Sequence, residues 1–266
     1  MSARVLLQVT GALAEVTLSN AAKFNAMSRA MWRDLRAVFT QIQQNPQLRC
    51  VVVRGAPGRD GGAGHFCAGG DISEYAAFRF DEASLRAFHE TDVWGGLQAM
   101  LDCDLPIIAQ IEGNCMGAGV EVASCCDLRF ASDAARFGAP IARLGFPMAP
   151  REAALVARCV GALTAREMLL TAAVLDAAEM KQRGFLNQVL PTAELAAHVQ
   201  ALAERTLHLA PQAARLNKQA LRILEASTPT PALTDLLANC YQYAASDEHR
   251  EGVAAFVEKR PARFAV

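Results

Sequence analysis

The sequence predicts an α/β fold built on parallel strands, and three observations carry that expectation. Runs such as CVVVRG (50–55) and PIIAQIEG (106–113) are short, apolar and rich in β-branched residues, the composition of strands buried on both faces. The segments between such runs repeat apolar residues at three- and four-residue steps, the period of a helix with one buried face. Strand and helix patterns alternate along the first half of the chain, which is how parallel sheets are connected.

Residues 4–18 read as a hairpin, RVLLQVT and LAEVTLS about a turn at Gly11. A helix is expected from Ser28 to Gln44, with Met27, Met31, Leu35, Val38 and Ile42 on one face and Asn45-Pro46 ending it. After the strand at 50–55, the loop GAPGRDGGAGHFCAGG leads into DISEY, where Asp71 and Glu74 have capping-box-like spacing. FDEASLRAFHETDVWGGLQAMLDC reads as helix, PIIAQIEG as the next strand and DLRFAS (127–132) as another. From Pro150 the pattern turns almost wholly helical. PREAALVARCVG opens with a first-turn proline and closes at Gly161, LNQVL (186–190) is one short strand, and Pro211 opens a helix that two more follow. The expected organisation is a core over 1–200 and a helical region over 201–266. The apolar faces of that region need either the core or another subunit to pack on.

Composition narrows the function classes. The chain has 266 residues, 52% hydrophobic and 20% charged, enough for a substantial core. The net charge of -1 and the lack of a basic cluster argue against nucleic acid. An anionic ligand would be held by local groups and not by a bulk field. No stretch is long and apolar enough to span a membrane, and the N-terminus lacks the pattern of a secretory signal. Eight cysteines occur without a C-x-x-C pair, which predicts reduced, mostly buried thiols in a cytoplasmic protein. No cluster has metal-ligand spacing, so no metal is expected. His65 and Cys67 flank Phe66 but are expected to be a loop histidine and a buried thiol, and Cys125-Cys126 to be core residues.

Two strand-to-helix turns, FCAGGDISEY and GNCMGAGVEV, carry the chemical signal. N–H groups in a first helical turn lack intrahelical partners, and Gly and Ala let a ligand approach them. Two such amides, one from each turn, form an oxyanion hole for a carbonyl oxygen that gains negative charge. Glu121 lies in the first turn of the second helix, beside Val120, Val122 and Ala123. Partial burial there raises a carboxyl pKa, and the helix N-terminus opposes the rise.

The chain resembles the crotonase superfamily, the enoyl-CoA hydratase/isomerase family, in HFCAGGDISEY, PIIAQIEGNCMGAGVEVASCCDLRFAS, ARFGAP and REGVAAFVEKRPARF, over essentially its full length. The resemblance implies a ββα spiral with a C-terminal helical region that builds trimers, often paired into hexamers. It implies an acyl-CoA thioester as substrate and partner, with coenzyme A part of that substrate and no separate cofactor. By resemblance, the amides of Gly70 and Ala118 grip the thioester oxygen and Glu121 moves a proton or activates water. Lys23 would lie near the CoA phosphates, Ala68, Gly70, Asp71 and Ile72 would line the CoA path, and Phe256 and Lys259 would reach a CoA on a neighbouring subunit.

One departure stands out. Where hydratases carry a second Glu, this chain has Ile141, in RFGAPIARLGF. Hydration needs a base for water and an acid for the α-carbon. Reversible hydration of a 2-enoyl-CoA is therefore set beside double-bond isomerisation or other single-carboxylate chemistry, and beside acyl-CoA binding without turnover. Arg143 and Glu152 are the nearest groups that could replace the second Glu; Glu152, after Pro150-Arg151 at a helix start, is a catalytic candidate set behind the plainer reading of a helix-capping acid. The segment from Ala76 to Leu85 is expected to shape the acyl pocket.

Overall fold

The computed structural model describes residues 3–58, 64–225 and 247–264. Its larger sheet has six strands: β1 (Arg4–Thr10), β2 (Leu13–Ser19), β3 (Cys50–Gly55), β4 (Ile107–Ile111), β6 (Leu128–Ser132) and β9 (Gln188–Leu190), in that spatial order. Strands β1 and β2 form the expected antiparallel hairpin, from Arg4 opposite Ser19 to Thr10 opposite Leu13, and every other neighbour is parallel. A second sheet pairs β5 (Asn114–Met116), β7 (Arg136–Gly138) and β8 (Val174–Asp176). These three-residue strands are too short for any period to betray them in the sequence.

The connection order is a repeat. After β4 comes β5 and then helix α4 (Ala118–Ser124); after β6 comes β7 and then α5 (Pro150–Val160). After β3 an isolated bridge, Cys67 to Cys115, supplies the same second-sheet rung before the helices that follow. Strand, short strand, helix, repeated, is the ββα spiral.

The unbroken apolar runs of β3 and β4 are explained by helices on both faces. Val51, Val53, Ile107 and Ala109 pack in one cluster with Met31, Trp32, Leu35, Phe39 and Ile42 of α1 (Arg29–Gln44). Cys50, Val52 and Ile108 alternate to the other face, against Leu195, Val199 and Ala203 of a later helix, α8 (Thr192–Leu207). That helix runs without interruption through residue 200, so the division drawn there falls inside it. Ser28 caps α1, its side chain accepting from the Met31 N–H at 3.2 Å.

The long helical segment after residue 81 is three pieces: α2 (Glu82–Ala87), a π-helical turn over Phe88–Val93, and α3 (Trp94–Leu101). Such turns often occur at functional positions. Asp92 fixes this one to α1, accepting from Arg29 Nε at 2.9 Å and Arg33 Nε at 2.8 Å. The capping box expected at Asp71 and Glu74 is not formed. Asp71 caps a 3-10 turn by accepting from the Ser73 N–H, but Glu74 instead accepts from the Arg29 N–H at 2.8 Å. A true capping box stands at Asp176 and Glu179, opening α7 (Ala177–Gln182), which follows α6 (Ala162–Thr171).

Burial disfavours the charge on Asp71, Asp92 and Asp104. The hydrogen bonds each accepts outweigh it, from Lys23 and Ser73, from Arg33 and Arg29, and from Gln219, Gln43 and Arg222, and hold all three below the ordinary carboxylate range. A carboxylate with a lowered folded-state pKa contributes its stability fully above about pH 4 and loses it as the pH falls through the folded value. The urea midpoint should therefore drop as the pH goes below about 4, and Asp92→Asn should both lower the midpoint at neutral pH and shallow that acid decline. A midpoint in the variant equal to wild type at neutral pH would contradict the role given to Asp92.

Helix α9 (Pro211–Leu224) has no buried residue and is held by its polar arms: Lys218 Nζ donates to the Leu105 carbonyl at 2.7 Å, and Arg222 pairs with Asp104 at 2.9 Å. Helix α10 (Asp247–Val257) follows, and the other helix expected in the C-terminal region lies outside the described residues. Among the described residues no helix is long and apolar enough to cross a membrane.

Candidate active site

The two glycine-rich turns are zipped together by backbone. The Cys67 N–H donates to the Asn114 carbonyl at 2.9 Å, and the Met116 N–H donates to the Cys67 carbonyl at 2.9 Å. Gly69 (φ +113°) and Gly117 (φ +47°) then turn each chain through conformations that a side chain disfavours. A β-carbon on Gly119 would meet the Cys67 carbonyl oxygen at 2.8 Å, so α4 packs directly on the first turn. Gly70 and Ala118 both line one cavity of about 330 Å³. Neither their N–H groups nor that cavity edge is occupied by an acceptor among the described residues.

Glu121 lines the same cavity. It sits in the first turn of α4, its own N–H donating to the Gly117 carbonyl at 3.0 Å. Burial, and then the charge of Glu152, push its carboxyl up to about 8. The helix N-terminus does not offset that rise.

Ile141 lines the cavity too, so an apolar side chain occupies the wall where a second carboxylate was sought. The second carboxylate is elsewhere. Glu152 does lie in the first turn of α5, as its position predicts, but it is no surface cap: it is 3% exposed and its Oε1 is 3.1 Å from His89 Nδ1. Nothing in the sequence singles out His89. It lies in the π turn, which breaks the three- and four-residue spacing by which a helical face is read.

The remaining wall is aromatic and cationic. The Arg79 guanidinium stacks 3.7 Å from the Phe146 ring centre and 4.3 Å from that of Tyr75. The Tyr75 hydroxyl stands against Gly70, where a β-carbon would meet it at 2.1 Å. Of the segment from Ala76 to Leu85, only Arg79 lines the cavity; Phe88, His89 and residues 140–149 supply more of its wall.

Ala68 and Ile72 lie at the cavity with Gly70. Asp71 does not line it and instead holds Lys23, whose Nζ is 2.7 Å from the Asp71 carboxylate and 2.6 Å from Ser73 Oγ. Phe256 is on α10 with its side chain outside the described residues, and Lys259 follows that helix, exposed, with φ 54°. Lys259 does not line this cavity among the described residues. His65 and Cys67 are structural: His65 Nδ1 accepts from the Asn114 N–H at 3.0 Å, and burial pushes the Cys67 thiol up to about 12. Cys125 and Cys126 are buried core residues. No group of three metal-ligating side chains occurs among the described residues.

Comparison with known proteins bears on this site. A sequence profile of the family described as enoyl-CoA hydratase/isomerase matches residues 8–266. The chain is 28% identical to the short-chain-enoyl-CoA hydratase of Clostridium acetobutylicum, over 96% of this chain and 95% of that one. It is 28% identical to the crotonyl-CoA hydratase of Syntrophomonas wolfei, over 98% and 97%. A crystal structure of an enoyl-CoA hydratase/carnithine racemase from Magnetospirillum magneticum superposes with a TM-score of 0.92 at 33% identity, covering 100% of this chain and 96% of that one. With a profile match over nearly its whole length and a spiral fold shared in full, the chain belongs to the enoyl-CoA hydratase/isomerase family, the crotonase superfamily.

Proposed function

We propose that the protein catalyses the reversible hydration of a 2-enoyl-CoA, with the thioester oxygen held by the Gly70 and Ala118 amides and Glu121 exchanging a proton with the α-carbon. One observation carries this reading: the Gly70 and Ala118 N–H groups and the Glu121 carboxyl line one cavity, and burial pushes that carboxyl up to about 8. The amides stabilise negative charge that develops on oxygen in the enolate, which is where a preorganised site has most effect. The protonated Glu121 is suited to deliver the proton to C2.

The substrate is an acyl-CoA, and coenzyme A enters as part of it, without a further cofactor. Ala68 and Ile72 line its path, and Lys23, positioned by Asp71, stands by the phosphates. Phe256 and Lys259 reach a CoA on a neighbouring subunit of a trimer or paired trimers, built through the C-terminal helices. Fatty-acid metabolism in the cytoplasm is the setting that fits.

Ile141 favours a second reading, double-bond isomerisation, because one acid suffices to carry a proton between C2 and C4. The two readings separate by product mass. Wild type incubated with 2-butenoyl-CoA should give a one-water adduct. If no adduct forms and 3-butenoyl-CoA is converted to the 2-isomer, isomerisation is the reaction. Ile141→Glu then provides a check: a native hydratase gains little from it, whereas an isomerase should acquire hydration.

A further inference from the structure

We propose that His89, held by Glu152, is the base that activates water, filling the role left open by Ile141. The inference rests on the hydratase reading and names the second proton carrier that this reading requires.

Elimination leads to His89. The titratable side chains that line the cavity are Tyr75, Arg79, His89, Glu121 and Arg143. Arg79 and Arg143 stay protonated at any working pH. Burial raises the Tyr75 hydroxyl, so it too keeps its proton. Glu121 is committed to the α-carbon. Of this set, His89 is left as the side chain with a ring nitrogen that can accept a proton. Glu152 does not itself line the cavity, and reaches it through the imidazole.

The geometry also orients the ring. We assign the 3.1 Å contact as Nδ1–H donating to Oε1, the tautomer in which the carboxylate oxygen accepts. That leaves Nε2 as the basic nitrogen, and no described residue hydrogen-bonds it. The π turn that carries His89 is tied to α5 a second time, by Arg151 to Glu90 at 3.0 Å, and to α1 through Asp92. A buried carboxylate behind the ring stabilises the imidazolium as it forms, as in other acid–His arrangements.

In the step, water loses a proton to His89 Nε2 and its oxygen bonds to C3. The C2=C3 electron pair moves toward the thioester carbonyl, whose oxygen is held by Gly70 and Ala118. Glu121 gives its proton to C2 as that pair returns. The imidazolium then passes its proton back to the Glu121 carboxylate, which restores both groups. The net change is addition of one water.

The test compares two reactions that differ in needing a water base. Hydration of 2-butenoyl-CoA needs His89. Exchange of the C2 hydrogens of butanoyl-CoA for deuterium in D2O needs only the amides and Glu121 as the carboxylate that takes the C2 proton, and is therefore run above about pH 8. His89→Ala should lose hydration kcat by about 10²-fold or more, with exchange retained within about threefold and hydration partly restored by added imidazole. Glu152→Gln, which keeps an oxygen acceptor for Nδ1, should lower hydration kcat with KM unmoved and exchange retained. Hydration at the wild-type rate in His89→Ala would overturn the proposal, as would parallel loss of hydration and exchange in both variants, which would make the pair merely structural. Unchanged kcat in Glu152→Gln would remove Glu152 from it. A wild type that exchanges C2 yet adds no water overturns the hydratase reading itself, a result read independently of either variant.

Discussion

Glu121→Gln should reduce hydration kcat by about 10²–10⁴-fold with little change in KM, since the amide fills the same volume but has no proton to give C2. Stopped assays on 2-butenoyl-CoA measure this directly, and a variant within about tenfold of wild type would remove Glu121 from the proton path. On the proposed mechanism hydration requires the protonated acid, so wild-type kcat should fall as the pH rises through about 8, the value to which burial and the Glu152 charge raise it. Stability carries the same signature with a definite sign. The folded-state pKa lies above the ordinary value of 4.5, so the group's contribution is full below that value and is lost as the pH rises through about 8. Glutamine does not titrate. The variant should therefore match wild type near pH 4 and exceed it near pH 9, a crossover visible in urea midpoints. An enzyme that is inactivated and stabilised by one substitution at high pH is the expected result.

Ala118→Pro should lower kcat by about 10²–10³-fold while leaving the fold in place. Ala118 is the first residue of α4, where proline is well tolerated because its missing N–H has no helical partner. That same N–H is the proposed oxyanion donor, so the substitution deletes the donor and little else. Ala118→Gly keeps the amide and should stay near wild type in kcat. Circular dichroism and the thermal midpoint show whether α4 survives. A folded Ala118→Pro with unimpaired kcat would mean that the thioester oxygen is held elsewhere.

How far the sequence reveals the molecule depends on the length over which a signal accumulates. The 16-residue α1 and the doubly buried β3 and β4 show their periods plainly, whereas β5, β7 and β8, of three residues each, do not. The glycine-rich turns were legible because backbone geometry dictates their composition, and Glu121 because it follows one of them. Ile141 stands out only through the resemblance, as a departure from what it implies. The His89–Glu152 pair was not legible, since it joins residues 63 apart through a turn of non-α pitch, and a first-turn glutamate has an ordinary reason to be there. Asp71 illustrates the same limit in reverse: its spacing to Glu74 fits a local cap, but tertiary partners on the residue 20–30 segment claim both side chains.

The backbone zip between Cys67 and residues 114–116 makes the spacing of the two amides a property of the main chain. Interstrand hydrogen bonds set that gauge, and they are indifferent to the side chains attached. The cavity walls, by contrast, come from the 3-10 turn, the π turn and the 140–149 segment, none of which supplies a hydrogen bond to the rung. On the proposed reading, the molecule therefore separates a fixed instrument for handling an oxyanion from distinct fittings that choose the acyl group and deliver protons. An apolar Ile141 on one wall and the proposed proton carrier His89 on another is an arrangement that such a division permits at low structural cost, and it makes the wall segments, not the glycine turns, the place to redirect the enzyme to a new thioester.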